Sequence, residues 1–213
     1  MKSLIKNNEN NFVYYEDSDE LGYSEFLDMW NSSKKEICKF ESLPFYATDE
    51  DIYKYYTSAN YKSLVNDLVS YWNNEKNGLY KKVASKDLNF YRLHVIEKPI
   101  NDYLISEYYS YIASEIIGEK IRVIEKNKIS DLKYNLYDFI LFDDFGCMIT
   151  EYDDNFMPLG DWITHDKDIV MELRNLFNEL YGKGQDFHTM YDGDKSIIND
   201  IIVGIKSNVS DKR

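Results

Sequence analysis

The chain is poor in cysteine, proline and glycine, with two, three and nine residues respectively. So few cysteines exclude a disulfide-linked secreted scaffold, and the interval between Cys38 and Cys147 matches no metal-ligand spacing, so we expect reduced, partly buried thiols. No stretch approaches the roughly 20 apolar residues that span a bilayer, and no signal-peptide pattern follows Met1. The expectation is a cytoplasmic protein that does not bind a membrane.

Motifs of common enzyme classes are missing too. No glycine pattern of a nucleotide-binding loop is present, and none of His94, His165 and His188 lies three or four residues from another. Residues 143–146 read Asp-Asp-Phe-Gly, as in the metal-binding motif of kinases. A kinase also needs a glycine-rich loop, a strand lysine and a catalytic loop, so a hairpin turn is the better interpretation. The sequence therefore assigns no catalytic residue, metal ligand or cofactor.

The chain has enough apolar side chains to form a core, since 44% of its 213 residues are hydrophobic and 30% are charged. Tyrosine is frequent, with 20 residues, and its amphipathic ring suits half-buried cores and interfaces alike. We expect a main domain over residues 37–191, an N-terminal helical extension over 1–36 and a C-terminal helix and tail over 192–213. The polar ends, residues 1–11 and 207–213, are expected to fray.

Hydrophobic periodicity predicts the order of the elements. Helices are predicted at residues 23–33, 52–58, 61–72, 99–118, 169–181 and 196–206. Strands are predicted at residues 37–41, 88–96, 120–125, 137–143, 146–152 and 159–164. Helix-end signals are Gly78 after the third helix, Pro99 in the first turn of the fourth, and Asp166 or Asp168 before and Gly182 after the fifth. A strand–helix–strand unit followed by a hairpin and meander predicts an α+β fold, with a mainly antiparallel sheet packed against flanking helices.

The most unusual stretch is the acidic window, residues 138–168, which holds nine carboxylates and one basic residue, Lys167, interleaved with aromatic residues. A surface of this composition repels nucleic acid and attracts basic protein surfaces. The side chains predicted to contact a partner are Asp143, Asp144, Glu151, Tyr152, Asp153, Asp154, Asp161 and Trp162.

The first functional hypothesis is a non-enzymatic protein that docks on the basic surface of a DNA-binding regulator, a nuclease or a CRISPR effector, without binding nucleic acid itself. Carboxylates in fixed positions imitate backbone phosphates and can occupy a cationic groove. This class includes the anti-CRISPR and anti-restriction inhibitors of phages and mobile elements. The alternative is that the acidic side chains only solvate the surface.

Arginine is scarce, because only four of the 25 basic residues are arginine. Arg92 and Arg122 lie in predicted strands, with Glu107 and Glu119 near them in sequence. A guanidinium group pairs with carboxylates bidentately, so these residues either fix a helix against the sheet or line a ligand pocket. The second functional hypothesis is therefore a small-ligand-binding protein or an enzyme, with a desolvated glutamate as general base. A concave pocket in which both arginines converge would favour it.

Several short motifs occur in a recognisable order: Phe40-Glu41 with Tyr46, residues 92–99, Tyr103, Glu107, residues 118–122, Asp138-Phe139 and Asp143-Asp144. In this order they resemble a family of uncharacterised bacterial proteins, most abundant in actinobacteria and often encoded beside XRE-type helix-turn-helix regulators. The similarity covers roughly residues 40–191. It implies a setting of regulation or of conflict between mobile elements and their hosts, and it implies no catalytic residue.

Overall fold

The computed structural model describes residues 1–49, 61–74, 78–129 and 137–191. Two predicted helices, at residues 52–58 and 196–206, lie outside the described residues. The predicted boundaries at residues 36 and 191 stay predictions. No helix in the described ranges is long and apolar enough to cross a membrane.

One eight-stranded sheet forms the centre of the fold, in the order β1-β7-β6-β5-β2-β3-β4-β8. Its strands are β1 (Val13–Glu16), β2 (Glu36–Glu41), β3 (Asn89–Ile96), β4 (Lys120–Glu125), β5 (Asp138–Phe142), β6 (Gly146–Tyr152), β7 (Pro158–Thr164) and β8 (Gln185–Asp186). Among the strands of the described residues, β2–β3 and β3–β4 pair in parallel and the other five pairs are antiparallel. The predicted α+β fold with a mainly antiparallel sheet is confirmed.

In the described ranges, six helices flank the sheet. They are α1 (Lys2–Asn7), α2 (Glu20–Ser32), α3 (Tyr61–Asn74), α4 (Gly78–Ala84), α5 (Asp102–Ile117) and α6 (Lys167–Lys183). Short 3₁₀ turns occur at Glu9–Asn11, Ala47–Asp49, Lys126–Lys128 and Phe187–Thr189. Helix α5 connects the parallel strands β3 and β4, which is the usual crossover between parallel neighbours.

Helices cover both faces of the sheet. On one face α1 and α6 pack on side chains such as Phe40, Leu93 and Phe139, and both cysteines are buried there as free thiols. The opposite face carries two separate cores. One lies under α3 and α5 beside β3 and β4, and the other lies under α2 and α4 beside β5. The polar part of this second face lies between the two cores, and we call it the central face.

The N-terminal residues differ from the prediction. Residues 1–11 were expected to fray, but Met1, Leu4 and Ile5 are buried against the core beneath α6. Strand β1, which the sequence analysis missed, joins the sheet by pairing with β7. It escaped prediction because it is short and mostly exposed, so no alternating burial pattern marks it.

Three predicted helix ends are corrected. Gly78 does not end α3, because α3 ends at Asn74 and Gly78 is the first residue of the unpredicted helix α4. Pro99 precedes α5, whose first turn is capped by the Asn101 side chain accepting from the Leu104 N–H. Asp166 caps α6, which runs through Gly182 and ends before Gly184. Gly182 ended the predicted helix of α6 too early, because a solvent-exposed helix position tolerates glycine at a cost of only about 1 kcal/mol.

Candidate functional site

The acidic window does not form a single surface. Asp143 and Asp144 lie in the turn between β5 and β6, whereas Asp153 and Asp154 lie in the turn between β6 and β7. The whole of β6 separates the two turns, and at about 3.3 Å per residue its length is roughly 20 Å. The predicted acidic residues therefore lie at both ends of β6, and a single partner would have to span that distance to contact both turns.

Asp143 and its neighbour Asp144 have different roles. The Asp143 carboxylate is buried and accepts hydrogen bonds from the backbone N–H groups of Lys34, Lys35 and Glu36, at 2.8, 2.9 and 2.8 Å. Its backbone lies in the left-handed region, with φ 44°. Asp144 has an 80% exposed side chain and a 3.9 Å contact with Lys35. Asp143 thus holds the chain ahead of β2, and only Asp144 is presented to solvent.

The remaining predicted contact residues lie on opposite faces or in turns. Glu151 accepts a 3.1 Å hydrogen bond from the indole N–H of Trp162, on the face covered by α1. Asp161 projects from the other face and accepts a 2.8 Å bond from Thr150, and burial raises its pKa. Asp153 accepts two backbone bonds within its own turn, which lower its pKa, and Asp154 is exposed.

The two arginines do not converge. In the β3–β4 register Arg92 is paired with Ile121 and Leu93 with Arg122, so the arginine side chains lie on opposite faces of the sheet. Arg122 donates to the Tyr181 carbonyl at 2.8 Å and its guanidinium group lies 4.8 Å from the Tyr181 ring centre. The prediction that both arginines line one pocket is therefore wrong. Arg122 instead fixes the end of α6.

Arg92, in contrast, lines a cleft of about 360 Å³ on the central face. Strands β2, β3, β5 and β6 form its floor, and α5 and the segment after β2 form its walls. Glu107 of α5, the second predicted pocket residue, lines it as well. The polar side chains around it are Lys39, Glu41, Tyr46, Thr48, Arg92, Tyr103, Glu107, Ser110, Asp138, Thr150 and Tyr152.

Glu41 is the centre of a charged network at the base of this cleft. Its buried carboxylate accepts from Arg92 at 2.8 and 3.0 Å and from the Lys39 ammonium group at 2.7 Å. Arg92 also donates through Nε to Glu119, at 2.6 Å. The hydroxyl of Tyr111 lies 3.3 Å from Glu41 and 2.6 Å from Nδ1 of His94. Each of these buried charges is paired, as burial requires.

The Asp138 carboxyl group lies on the neighbouring strand. The pairing of Phe40 with Phe139 brings Glu41 and Asp138 beside each other on the same face. One Asp138 oxygen accepts from the N–H and the hydroxyl of Ser42, at 2.7 and 2.8 Å. The other accepts a very short hydrogen bond from Tyr46 and a 3.4 Å contact from Tyr152.

The environments of these two carboxyl groups shift their pKa values in opposite directions. Burial raises the pKa of Glu41, but the charges of Arg92 and Lys39 outweigh burial and hold it well below its usual range. Burial raises the pKa of Asp138, and the charge of Glu41 raises it further, against the hydrogen bonds from Tyr46 and Ser42. Paired carboxyl groups whose pKa values are driven apart in a cleft are typical of acid–base and ligand sites.

Several polar atoms beside the cleft have capacity for another partner. Within the described residues, Lys39 contacts Glu41 alone, and no group accepts from the second terminal nitrogen of Arg92. An ammonium group has three donors and a guanidinium group five. The second oxygen of Glu119 is buried, and no described residue donates to it. The polar groups of the site therefore have hydrogen-bonding capacity that the described residues do not use, whereas the groups of a closed structural ion pair satisfy one another.

Sequence reasoning missed Lys39, Glu41, Tyr46 and Asp138 as site residues. The missed signal is the charged pair Lys39 and Glu41, which alternates with the apolar residues Ile37, Cys38 and Phe40 of the predicted strand. A spacing of two residues places both charged side chains on one face. Among the described residues, no three histidine, cysteine, aspartate or glutamate side chains are grouped as a metal site.

Comparisons with known proteins identify one matching family and several solved structures of low sequence identity. Residues 24–192 match DUF6879, a domain of unknown function. This range includes every predicted site residue and all the residues that line the cleft. No match was found among curated protein sequences.

Three solved structures show what the chain is similar to at low identity. NucT from Helicobacter pylori has a TM-score of 0.49 and 11% identity, over 83% of this chain and 98% of NucT. Nuc from Salmonella typhimurium, a phospholipase D family member, has a TM-score of 0.43 and 12% identity, over 82% and 97%. The archaeal chromatin protein TrmBL2 has a TM-score of 0.43 and 13% identity, and the match covers 87% of this chain but 58% of TrmBL2. With TM-scores below 0.5, these similarities carry no functional argument.

Proposed function

Because the chain belongs to the DUF6879 family, a domain of unknown function, we propose its role from its own residues: it binds a small polar ligand in the cleft above Glu41, Arg92 and Asp138. The observation that carries the proposal is the cleft with Glu41, Arg92 and Asp138 at its base and with donors of Lys39 and Arg92 from which no described residue accepts. The opposite pKa shifts of the two carboxyl groups support it. Ligand pockets combine such convergent polar groups with aromatic walls.

The charge balance favours an uncharged ligand with several hydroxyl groups. Lys39 and Arg92 supply two positive charges, and the two carboxylates they contact, Glu41 and Glu119, supply two negative charges. These four charges cancel, and the raised pKa of Asp138 reduces the negative charge that it adds. Glu107, which also lines the cleft, adds a further negative charge and disfavours an anionic ligand. The unused donors of Lys39 and Arg92 suit hydroxyl and carbonyl oxygens, and the rings of Tyr46, Tyr103 and Tyr152 supply flat apolar walls.

A thermal-shift screen of neutral sugars, nucleosides, amino acids, carboxylates and phosphates tests this proposal. A true ligand raises the unfolding temperature in proportion to its concentration relative to Kd. Lys39→Met should remove the shift, whereas Lys35→Met should keep it, because Lys35 is exposed and outside the cleft. If no compound stabilises the protein, or if both variants respond alike, the cleft is not a ligand site.

A second candidate is the docking protein that the acidic composition predicts. The observation that favours it is a groove of about 460 Å³ between β1 and α2, lined by acidic residues of the segment between them and by Asp161 and the exposed Tyr23. A basic partner, such as a DNA-binding regulator, a nuclease or a CRISPR effector, would bind there by charge complementarity. A helix-turn-helix regulator is the partner to test first.

Pull-down with a purified basic regulator, repeated over a salt series, tests this second candidate. Affinity should fall steeply as salt rises, because exposed charge pairs are screened over about 10 Å at 0.1 M. A variant with Asp17 and Asp19 replaced by asparagine should bind weakly, and the matched variant with Asp153 and Asp154 replaced should bind normally. If both variants lose binding equally, the effect comes from net charge and not from the groove.

A further inference from the structure

Strand β1 forms an uncovered end of the sheet. It is the first strand in the sheet order, and among the described residues it pairs with β7 alone. Three of its four residues, Val13, Tyr14 and Glu16, are exposed. A strand at the end of a sheet offers its free backbone groups to any extended chain that fits beside it. Shortness and nearby charge discourage most such chains, so β1 suits only an occupant that complements its surroundings.

The register shows which backbone groups of β1 point away from the sheet. The N–H of Asp17 donates to the carbonyl of Leu159 at 3.0 Å, in continuation of the pairing between β1 and β7. Bonding alternates along an antiparallel strand, so Tyr15 also faces β7, whereas Tyr14 and Glu16 face outward. No described group bonds the N–H or carbonyl of Tyr14 or the N–H of Glu16. Three backbone groups are therefore available to one further strand.

Exposed apolar side chains gather around the same edge. Eight large apolar side chains are exposed in the described ranges, and five of them lie on β1, on β7 or at the start of α2. These five are Val13, Tyr14, Leu21, Tyr23 and Leu159. The ring of Tyr14 also lies 4.6 Å from the ring of Trp162, between ring centres. A concentration of exposed apolar side chains marks an interaction surface more often than a merely solvated one.

The two faces of this edge differ in charge. The groove between β1 and α2 lies on the face of Tyr15, and of its described lining residues five are acidic and none is basic: Glu16, Asp17, Asp19, Glu20 and Asp161. The opposite face presents the rings of Tyr14 and Trp162. Side chains of a strand alternate between faces, so a complementary strand carries basic residues at every second position and apolar residues between them. A second copy of this chain fits poorly, because it brings a net charge of −13 to an acidic groove.

We propose that β1 is a docking strand: an extended segment of a partner protein, with alternating basic and apolar residues, pairs with β1 and becomes a ninth strand of the sheet. This inference rests on the proposed docking function and specifies how the partner binds. Backbone hydrogen bonds to Tyr14 and Glu16 hold the segment, as in other cases of strand addition. Its basic side chains enter the acidic groove, and its apolar side chains pack on Tyr14 and Trp162.

Binding of synthetic peptides to the full chain tests this inference. Three peptides of about ten residues are compared by NMR titration: alternating lysine and valine, the same residues in two blocks, and alternating glutamate and valine. The alternating basic peptide should bind at least about tenfold more tightly than the block peptide of equal charge, because only alternation places all its charges on one face. The acidic peptide should not bind.

Hydrogen exchange locates the bound peptide. The alternating basic peptide should slow exchange of the N–H groups of Tyr14 and Glu16 by at least about fivefold. Exchange at Tyr15 should not change, because its N–H already faces β7.

Two substitutions at one position separate the backbone from the side chain. Tyr14→Pro removes an N–H that β7 does not use, and end strands tolerate proline at such positions. It should weaken the alternating basic peptide by at least about tenfold. Tyr14→Val keeps the N–H and should weaken it by less than about threefold. If Tyr14→Pro does not fold, the exchange pattern of the unaltered chain decides.

The outcomes separate this inference from the docking function itself. Equal affinity for the alternating and block peptides, or no peptide binding, would overturn strand addition. Protection of Tyr14 and Glu16 that appears without peptide and grows with protein concentration would assign the edge to a second copy instead. A basic regulator that binds without protecting these two residues would leave docking intact and overturn its mode. Peptide binding at β1 with no binding of a regulator would instead contradict the docking partner and leave strand addition in place.

Discussion

Two adjacent aspartates illustrate how much a residue's role depends on its neighbours. Asp143 and Asp144 carry the same charge and lie in the same turn, but the Asp143 carboxylate is bonded to three backbone N–H groups and Asp144 is exposed. The carbonyl of Asp143 also accepts from Arg174. A residue that satisfies buried donors cannot be offered to a partner without leaving those donors unpaired.

We expect Asp143→Ala to lower the free energy of unfolding by roughly 2–4 kcal/mol, because three N–H groups lose their acceptor and alanine disfavours positive φ. Asp144→Ala, the matched control, should change it by less than about 0.5 kcal/mol. Urea unfolding followed by tyrosine and tryptophan fluorescence measures both. Similar values for the two variants would mean that Asp143 does not hold the chain ahead of β2.

At the scale of the elements, the edge strand β1 is held by close backbone contact. A Cβ atom at Gly160 of β7 would lie 2.3 Å from the carbonyl oxygen of Tyr15 and 2.6 Å from the hydroxyl of Tyr14. Gly182, in contrast, lies within α6 and has no heavy atom within 4 Å of such a Cβ. A larger residue therefore has no room at position 160 and has room at position 182.

Gly160→Ala should lower the midpoint of thermal unfolding by at least about 4 °C, because β1 must move away from β7 to admit the methyl group. Gly182→Ala should raise the midpoint by about 2–4 °C, since alanine is favoured over glycine inside a helix by about 1 kcal/mol. Calorimetry on the two variants beside the natural chain gives both shifts. A stabilised Gly160→Ala variant would show that β1 does not pack on Gly160.

The whole molecule carries a formal net charge of −13, spread over several regions of its surface and not gathered on one face. Exposed carboxylates occur in both turns that flank β6 and in the segment between β1 and α2. Charge of one sign destabilises the compact state through mutual repulsion, and salt screens that repulsion.

We therefore expect the thermal midpoint to rise by a few degrees between about 20 mM and 500 mM sodium chloride at pH 7.5. A variant with Asp144 and Asp154 changed to asparagine should have a higher thermal midpoint at low salt, and its midpoint should rise less as salt is added. Scanning calorimetry with an equal osmolality of sucrose controls for general solute effects. A midpoint that falls with salt would mean that attractive ion pairs outweigh the repulsion.

Much of the fold was predictable because it depends on local patterns. The alternation in β3 and β4, the turn between β5 and β6, and the amphipathic periodicity of α5 and α6 all lie within single segments, and the structure confirms them. The short strands β1 and β8 were missed, since their only stabilising partners are distant in sequence.

The candidate site was predictable only in part. Arg92 and Glu107 do line one cleft, and Glu119 contacts Arg92, as their proximity in sequence suggested. Arg122 was misplaced because face assignment depends on strand register, which a one-residue shift reverses. Glu41 and Asp138 meet only through the pairing of β2 with β5, nearly one hundred residues apart in the chain.

By itself, the sequence determined the class of fold, its strand–helix–strand unit and its strongly negative charge, because composition and short-range periodicity are properties of neighbouring residues. The tertiary structure alone decided which carboxylates are buried, which share a cleft and which are exposed. Those outcomes depend on pairing between strands that are distant in the chain. Because of that pairing, Asp143 bonds backbone N–H groups, Asp138 accepts from Tyr46 in the cleft, and Asp144 stays a solvated surface charge.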